Sequence, residues 1–149
     1  MSMSTLSQSN QSNKANAIAL HAKPSANFLE NVAETVSLLQ QSVTDFSPVT
    51  QASSLGAEDV VITHLINANA LNIPVFVLET GALHHETLAL LERTQAHAMT
   101  PIKVYRPANE KVIEFVKAHG QNAIYESLVL RKACCQVRKL APLAEALKG

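Results

Sequence analysis

The sequence predicts an α/β fold, a parallel sheet flanked by helices, and two observations carry that prediction. Short apolar runs rich in β-branched residues alternate with longer stretches whose apolar positions recur at helical spacing. Each short run is closed by small or polar residues: Ser53-Ser54-Leu55-Gly56, Glu79-Thr80-Gly81 and Tyr105-Arg106-Pro107. Open α/β sheets hold ligands beyond the carboxyl ends of their strands. These three loops are therefore expected to line one crevice.

The elements follow in order. Asn27 is placed to cap a first helix through Phe28, Val32, Thr35, Val36 and Leu39, whose spacing gives one apolar face. The turn-rich stretch Asp45 to Pro48 ends it. Val49 to Leu55 fits a short strand, Gly56 a turn, and Ala57 to Ala70 a helix. Ile73 to Leu78 (IPVFVL) is continuously apolar, the pattern of a strand covered on both faces. A helix is expected over His85 to Ala96, with Leu88, Leu91 and Thr94 in step, and a strand over Pro101 to Tyr105. Asn109 is expected to cap a helix bearing Val112, Ile113, Phe115 and Val116, and Gly120 to end it. Ser127 to Leu147 reads as helical, with Pro142 interrupting it and opening a second short helix.

Composition sets the outer bounds. The 149 residues favour one domain, and the chain is long enough to bury a core. Lysine plus arginine equals aspartate plus glutamate at 12 each, so no global field draws in nucleic acid or anionic lipid. Nucleic acid and membrane are accordingly not expected as partners, and any anion site must be local. No apolar run has the length of a membrane span. Residues 1–26 are rich in Ser, Asn and Gln and read as a disordered leader, leaving 27–149 as the folded domain. This leader has no continuous apolar core of the kind a secretory signal carries, so a cytoplasmic location is expected.

Three motifs carry chemistry. In SSLGAED, two hydroxyls, a flexible glycine and a helix N-terminus together suit a phosphate or sulfate; the same residues also suit an ordinary strand-to-helix turn. In LETGALHHETL, the Thr80-Gly81 step allows a ligand close to the backbone. His84 and His85 are adjacent and point in different directions, unlike the i, i+4 pair of a helical zinc site, and read as a polar helix start. In LRKACCQVRKLAPL, Cys134 and Cys135 stand among Arg131, Lys132, Arg138 and Lys139. Neighbouring α-carbons are about 3.8 Å apart, shorter than an ordinary disulfide span. The pair therefore reads as metal or cluster ligands, or as two buried small residues. Nearby cations favour thiolate and can also receive an anionic substrate.

The order and spacing of SSLGAED, LETGALHHETL, YRP and NAIYESLVLRKACCQVRKLAPL resemble the assimilatory adenylyl-sulfate and phosphoadenylyl-sulfate reductases. The resemblance spans about Phe46 to Leu147. It implies an adenine-nucleotide α-hydrolase-like fold of the PP-loop type, present here without its C-terminal part. It implies a reaction in which a cysteine near the C-terminus attacks the sulfate sulfur of adenosine 5′-phosphosulfate or its 3′-phospho form. Thioredoxin then releases sulfite, as a step of sulfate assimilation and cysteine biosynthesis.

By position, the resemblance puts Ser53, Ser54, Leu55 and Gly56 in the nucleotide loop, and Glu79, Thr80, Gly81 and Leu83 beside the adenosine. It makes Cys134 and Cys135 two of the four ligands of a 4Fe–4S cluster, and sets Arg138 and Lys139 between cluster and phosphosulfate. The Cys-Cys form goes with the substrate that lacks the 3′-phosphate. A homo-oligomer is compatible with this reading.

Departures from the family pattern set the remaining expectations. The family's second ligand pair, a later Cys-x-x-Cys, and its nucleophilic cysteine have no counterpart, since the two cysteines of this sequence are the adjacent pair. Catalysis by this polypeptide alone is not expected, and exposed apolar surface with modest stability is. Ala82 stands where the pattern carries arginine, and His85 where proline is frequent. Two other readings stay open: a PP-loop-type ATP pyrophosphatase or adenylyltransferase, and a non-enzymatic nucleotide-binding remnant. The first of these usually shows Ser-Gly-Gly-x-Asp-Ser rather than SSLGAED.

Overall fold

A computed structural model describes residues 23–148. Of the expected leader, residues 1–22 lie outside the described residues, and 23–26 lead into the first helix. Helix α1 (Phe28–Asp45) is followed by strand β1 (Gln51–Ser53), helix α2 (Ala57–Ala68), strand β2 (Val75–Leu78), helix α3 (His85–His97), strand β3 (Lys103–Tyr105) and helix α4 (Asn109–His119). A 3₁₀ turn (Ala123–Tyr125) leads to α5 (Leu128–Cys135), a π-helical turn (Gln136–Leu140) and α6 (Ala141–Ala146). The expected alternation of helices and strands holds, with each strand shorter than expected and with the 3₁₀ and π-helical turns unanticipated.

The three strands form one parallel sheet in the order β1-β2-β3. Ala52 pairs with Phe76, and Val77 with Val104. The central strand is buried on both faces, as the unbroken apolar run required: Val75, Phe76 and Val77 are all buried. Alternate residues of a strand point to opposite faces. Val75 and Val77 therefore join Ile66 of α2, Leu91 of α3, Leu55, Ile73 and Ile102 in the main core. Phe76 points the other way, toward the chain that contains Lys139 and Leu143. Tyr105 meets the Phe76 ring edge-on, at 5.7 Å between centroids.

Local chemistry explains most of the helix ends. Ser127 caps α5, its Oγ accepting from the Leu130 N–H at 3.1 Å. Gly120 ends α4 with φ +85°, a conformation that favours glycine. Pro142 lies in the first turn of α6, directly after the π-helical turn, where the helix changes its hydrogen-bonding pattern. Two capping expectations need correction. Asn109 is the first residue of α4, and Ala108 holds the cap position with its carbonyl accepting from Val112 N–H. Asn27 does precede α1, but only its backbone carbonyl bonds, to Asn31 N–H at 2.9 Å; its side chain caps nothing.

Candidate functional site

The crevice lies beyond the carboxyl ends of β1 and β2, on the Phe76 face of the sheet. Its volume is about 340 Å³, and Ser53, Ser54, Asp59, Phe76, Thr80 and Lys139 are among the residues that line it. Ala52 and Phe76 form its floor because they are register partners and so face the same way. That volume is at the lower end of the range for small-molecule sites. A cleft of about 330 Å³ between α2 and α3 contains none of the three predicted loops.

The first loop is held internally. Leu55 takes a left-handed φ of +65°, unusual for a bulky residue, while its side chain is buried in the core. Its N–H donates to Ser53 Oγ at 3.2 Å, and the Gly56 N–H donates to Ser54 Oγ at 3.3 Å. Ser54 in turn gives both its N–H and its Oγ–H to Asp59 Oδ2, at 2.7 and 2.6 Å. The Asp59 carbonyl accepts from Gln51 Nε2 and Thr63 Oγ1, which ties the first turn of α2 to β1. The free donors of the SSLG loop are thus fewer than the sequence suggested, because Asp59 supplies an anion from within the motif. Asp59 was legible only as an acidic residue of a first helical turn.

The second loop is braced from both sides. Glu79 Oε1 accepts from the Gly81 N–H at 2.7 Å, and Glu79 Oε2 pairs with Arg106 Nε at 3.1 Å. Arg138 Nη1 donates to the Thr80 carbonyl at 2.8 Å. Thr80 and Leu83 line the crevice; Glu79 and Gly81 shape the loop behind them. Of the three loops expected to meet, two do. Tyr105-Arg106-Pro107 buttresses the second loop instead, through the Glu79 N–H to Tyr105 carbonyl bond of 2.9 Å and the Arg106 pair. The reason is strand order: β3 is the edge strand on the far side of β2 from β1.

Next to this crevice lies a second, of about 380 Å³, lined by Thr80, Leu83, Tyr125, Cys134, Cys135 and Arg138 among others. Both cysteines are free thiols and half-buried. Thr80, Leu83 and Lys139 line both cavities, so the predicted nucleotide residues and the cysteine pair share a border. The π-helical turn that follows Cys135 carries Arg138 and Lys139 to that border. π-Turns inside helices recur at functional sites. Ile124 and Tyr125 enter through the 3₁₀ turn, which sequence reading missed because three residues are too few to show a period.

Residues 48–149 match the model of the phosphoadenosine phosphosulfate reductase domain. An adenosine 5′-phosphosulfate reductase of Allochromatium vinosum is 41% identical over 117 residues, which is 78% of this chain and 46% of that protein. One from Neisseria meningitidis serogroup B is 48% identical over 99 residues, 66% of this chain and 40% of that protein. The chain thus spans less than half the length of these relatives. The crystal structure of phosphoadenylyl-sulfate reductase from Candida auris, a phosphate complex, superposes with a TM-score of 0.62 at 20% identity, covering 85% of this chain and 64% of that one. That likeness bears out the expected parallel sheet with flanking helices and the PP-loop-like fold, and with the domain match it shows that the chain belongs to the phosphoadenosine phosphosulfate reductase domain family.

Proposed function

We propose that this chain forms the nucleotide-binding part of a reductase that releases sulfite from adenosine 5′-phosphosulfate or its 3′-phospho form, with thioredoxin as the dithiol donor, in the cytoplasm. The observation that carries this reading is the shared border of the two cavities, where Lys139 faces both. A nucleotide in the first cavity would set its anionic end against the Lys139 ammonium, beside the cysteine pair. Ser53 and Ser54 would form one wall, with Leu55 and Gly56 turning the loop behind them, and Thr80 and Leu83 the other, with Glu79 and Gly81 holding that second wall in shape.

In the reaction, a thiolate attacks the sulfate sulfur and adenosine 5′-phosphate leaves. A dithiol then reduces the S-sulfocysteine and releases sulfite. The contribution of this chain is to bind, orient and neutralise: Lys139 offsets charge on the phosphosulfate, and the apolar floor of Ala52 and Phe76, with Leu78 beside it, would receive the nucleoside side.

A 4Fe–4S cluster takes four thiolates. Cys134 and Cys135 supply two, half-buried and lining one cavity, so they fit half of such a set. Among the described residues no group of three or more His, Cys, Asp or Glu is placed to hold a metal ion. The pair alone does not complete the ligand set. When bound in a complete set, a cluster would fix the pair in place, and its net negative charge with four thiolates would be offset by neighbouring cations such as Arg138 and Lys139.

The test is sulfite release from adenosine 5′-phosphosulfate with reduced thioredoxin, under anaerobic conditions. It compares this chain with a fusion in which the remaining length of a relative follows it. Activity in the fusion, reduced at least tenfold by Lys139→Ala, is the expected result. A fusion that binds nucleotide yet releases no sulfite would point instead to a binding module.

A further inference from the structure

Arg138 sits on the π-helical turn three residues after Cys135, yet its strongest contact is with a loop far away in sequence. Its Nη1 donates to the Thr80 carbonyl at 2.8 Å. Thr80 is buried, and Arg138 is itself half-buried. A β-carbon built on Gly81 would lie 3.3 Å from the same Nη1, and Gly81 holds φ +69°. Residue 81 is therefore glycine for two reasons: left-handed backbone, and the close approach of this guanidinium. The opposite side of the loop is held by the Glu79–Arg106 pair.

We propose that Arg138 is a positioning residue that presets the Thr80–Leu83 loop for the nucleotide and ties that shape to the segment bearing Cys134 and Cys135. The inference rests on the nucleotide reading above. A loop ordered in advance spares the ligand the entropy of ordering it. Arg138 lies on the π-turn, which changes the rotational phase of the helix after Cys135, where each residue of an α-helix advances about 100°. Because one residue touches both the loop and the cysteine cavity, displacement of the cysteine segment moves Thr80, and a nucleotide seated on Thr80 and Leu83 holds that segment still. A guanidinium can reach the carbonyl and keep further donors for the cavity; an ammonium at the same position retains the charge without the fork.

The test is calorimetric titration of the full chain with adenosine 5′-monophosphate, alongside amide hydrogen exchange at residues 81–83 without ligand. It compares wild type, Arg138→Met, Arg138→Lys and Gly81→Ala, with thermal melting as the check on folding. Arg138→Met is expected to raise the dissociation constant about tenfold and to speed exchange at Gly81 and Ala82 by a similar factor, with Arg138→Lys recovering part of both. Unchanged affinity and exchange in a folded Arg138→Met would overturn the proposal. Should that variant not fold, Gly81→Ala, which displaces the guanidinium through its β-carbon, and Arg138→Lys decide: normal exchange and affinity in both would equally overturn it. Wild type that does not bind the nucleotide, with faster exchange in Arg138→Met, would sink the nucleotide reading and reduce the contact to packing.

Discussion

Leu55 and Ala70 both occupy left-handed backbone, with φ of +65° and +49°, although neither is glycine. For an L-residue this costs about 1–2 kcal/mol. Leu55 offsets the cost through its buried side chain in the core. Ala70 is exposed and has no such return. Ala70→Gly is therefore expected to stabilise the fold by about 0.5 kcal/mol once the entropy glycine loses is set against the relief. Urea unfolding measures this, and a destabilised variant would show that the Ala70 methyl packs. The same scale shows what the sequence hides. SSLGAED displays two hydroxyls and a glycine, and reads as an anion loop. Only the fold reveals that Asp59 takes both Ser54 donors. Arg138 was legible as one of four cations around the cysteines, but its bond to Thr80 spans 58 positions and leaves no local trace.

At the scale of elements, α5 carries the cysteine pair, and its start depends on one side chain. Ser127→Ala removes the Oγ that accepts from Leu130 N–H and is expected to cost about 1 kcal/mol. Asn27→Ala, at the start of α1, is the matched control and should cost little, since that side chain makes no cap bond. Melting curves of the two variants decide it; equal losses would mean that the Ser127 bond does not hold the helix. Strand β2 was readable because it is apolar throughout and is closed by the polar Glu79 and Thr80. The π-helical turn was not, because inserting a wider turn leaves the apolar spacing of LRKACCQVRKL consistent with one α-helix. Asn109 misled for a related reason: asparagine suits a cap, but the extended Ala108 holds that position, its carbonyl accepting from the Val112 N–H.

For the molecule as a whole, the core is narrow. Ile66, Val75, Val77 and Leu91 anchor it, while α1 and α4 contain no fully buried residue. Phe28, Leu29, Phe46, Tyr125, Leu128 and Val129 are exposed, as the expectation of uncovered apolar surface held. Ile66, only 2% exposed, is central enough that Ile66→Ala should cost about 2–5 kcal/mol, a large part of a typical domain's stability. Denaturant unfolding would read that loss directly, and a cost below about 1 kcal/mol would show the core relaxing around the gap. No helix among the described residues is long and apolar enough to cross a membrane, and equal numbers of acidic and basic residues leave charge to act locally, at Lys139 and around the cysteine pair.

That local charge is where the account is most exposed, and one measurement reaches it most directly: calorimetric titration of this chain with adenosine 5′-phosphosulfate, before and after Lys139→Ala. Saturable binding at one site is expected, weakened about tenfold by the substitution with no change in melting temperature, as for the loss of a charge-assisted contact. Binding that ignores Lys139, or no binding by a folded chain, would contradict the placement of the phosphosulfate at the border of the two cavities.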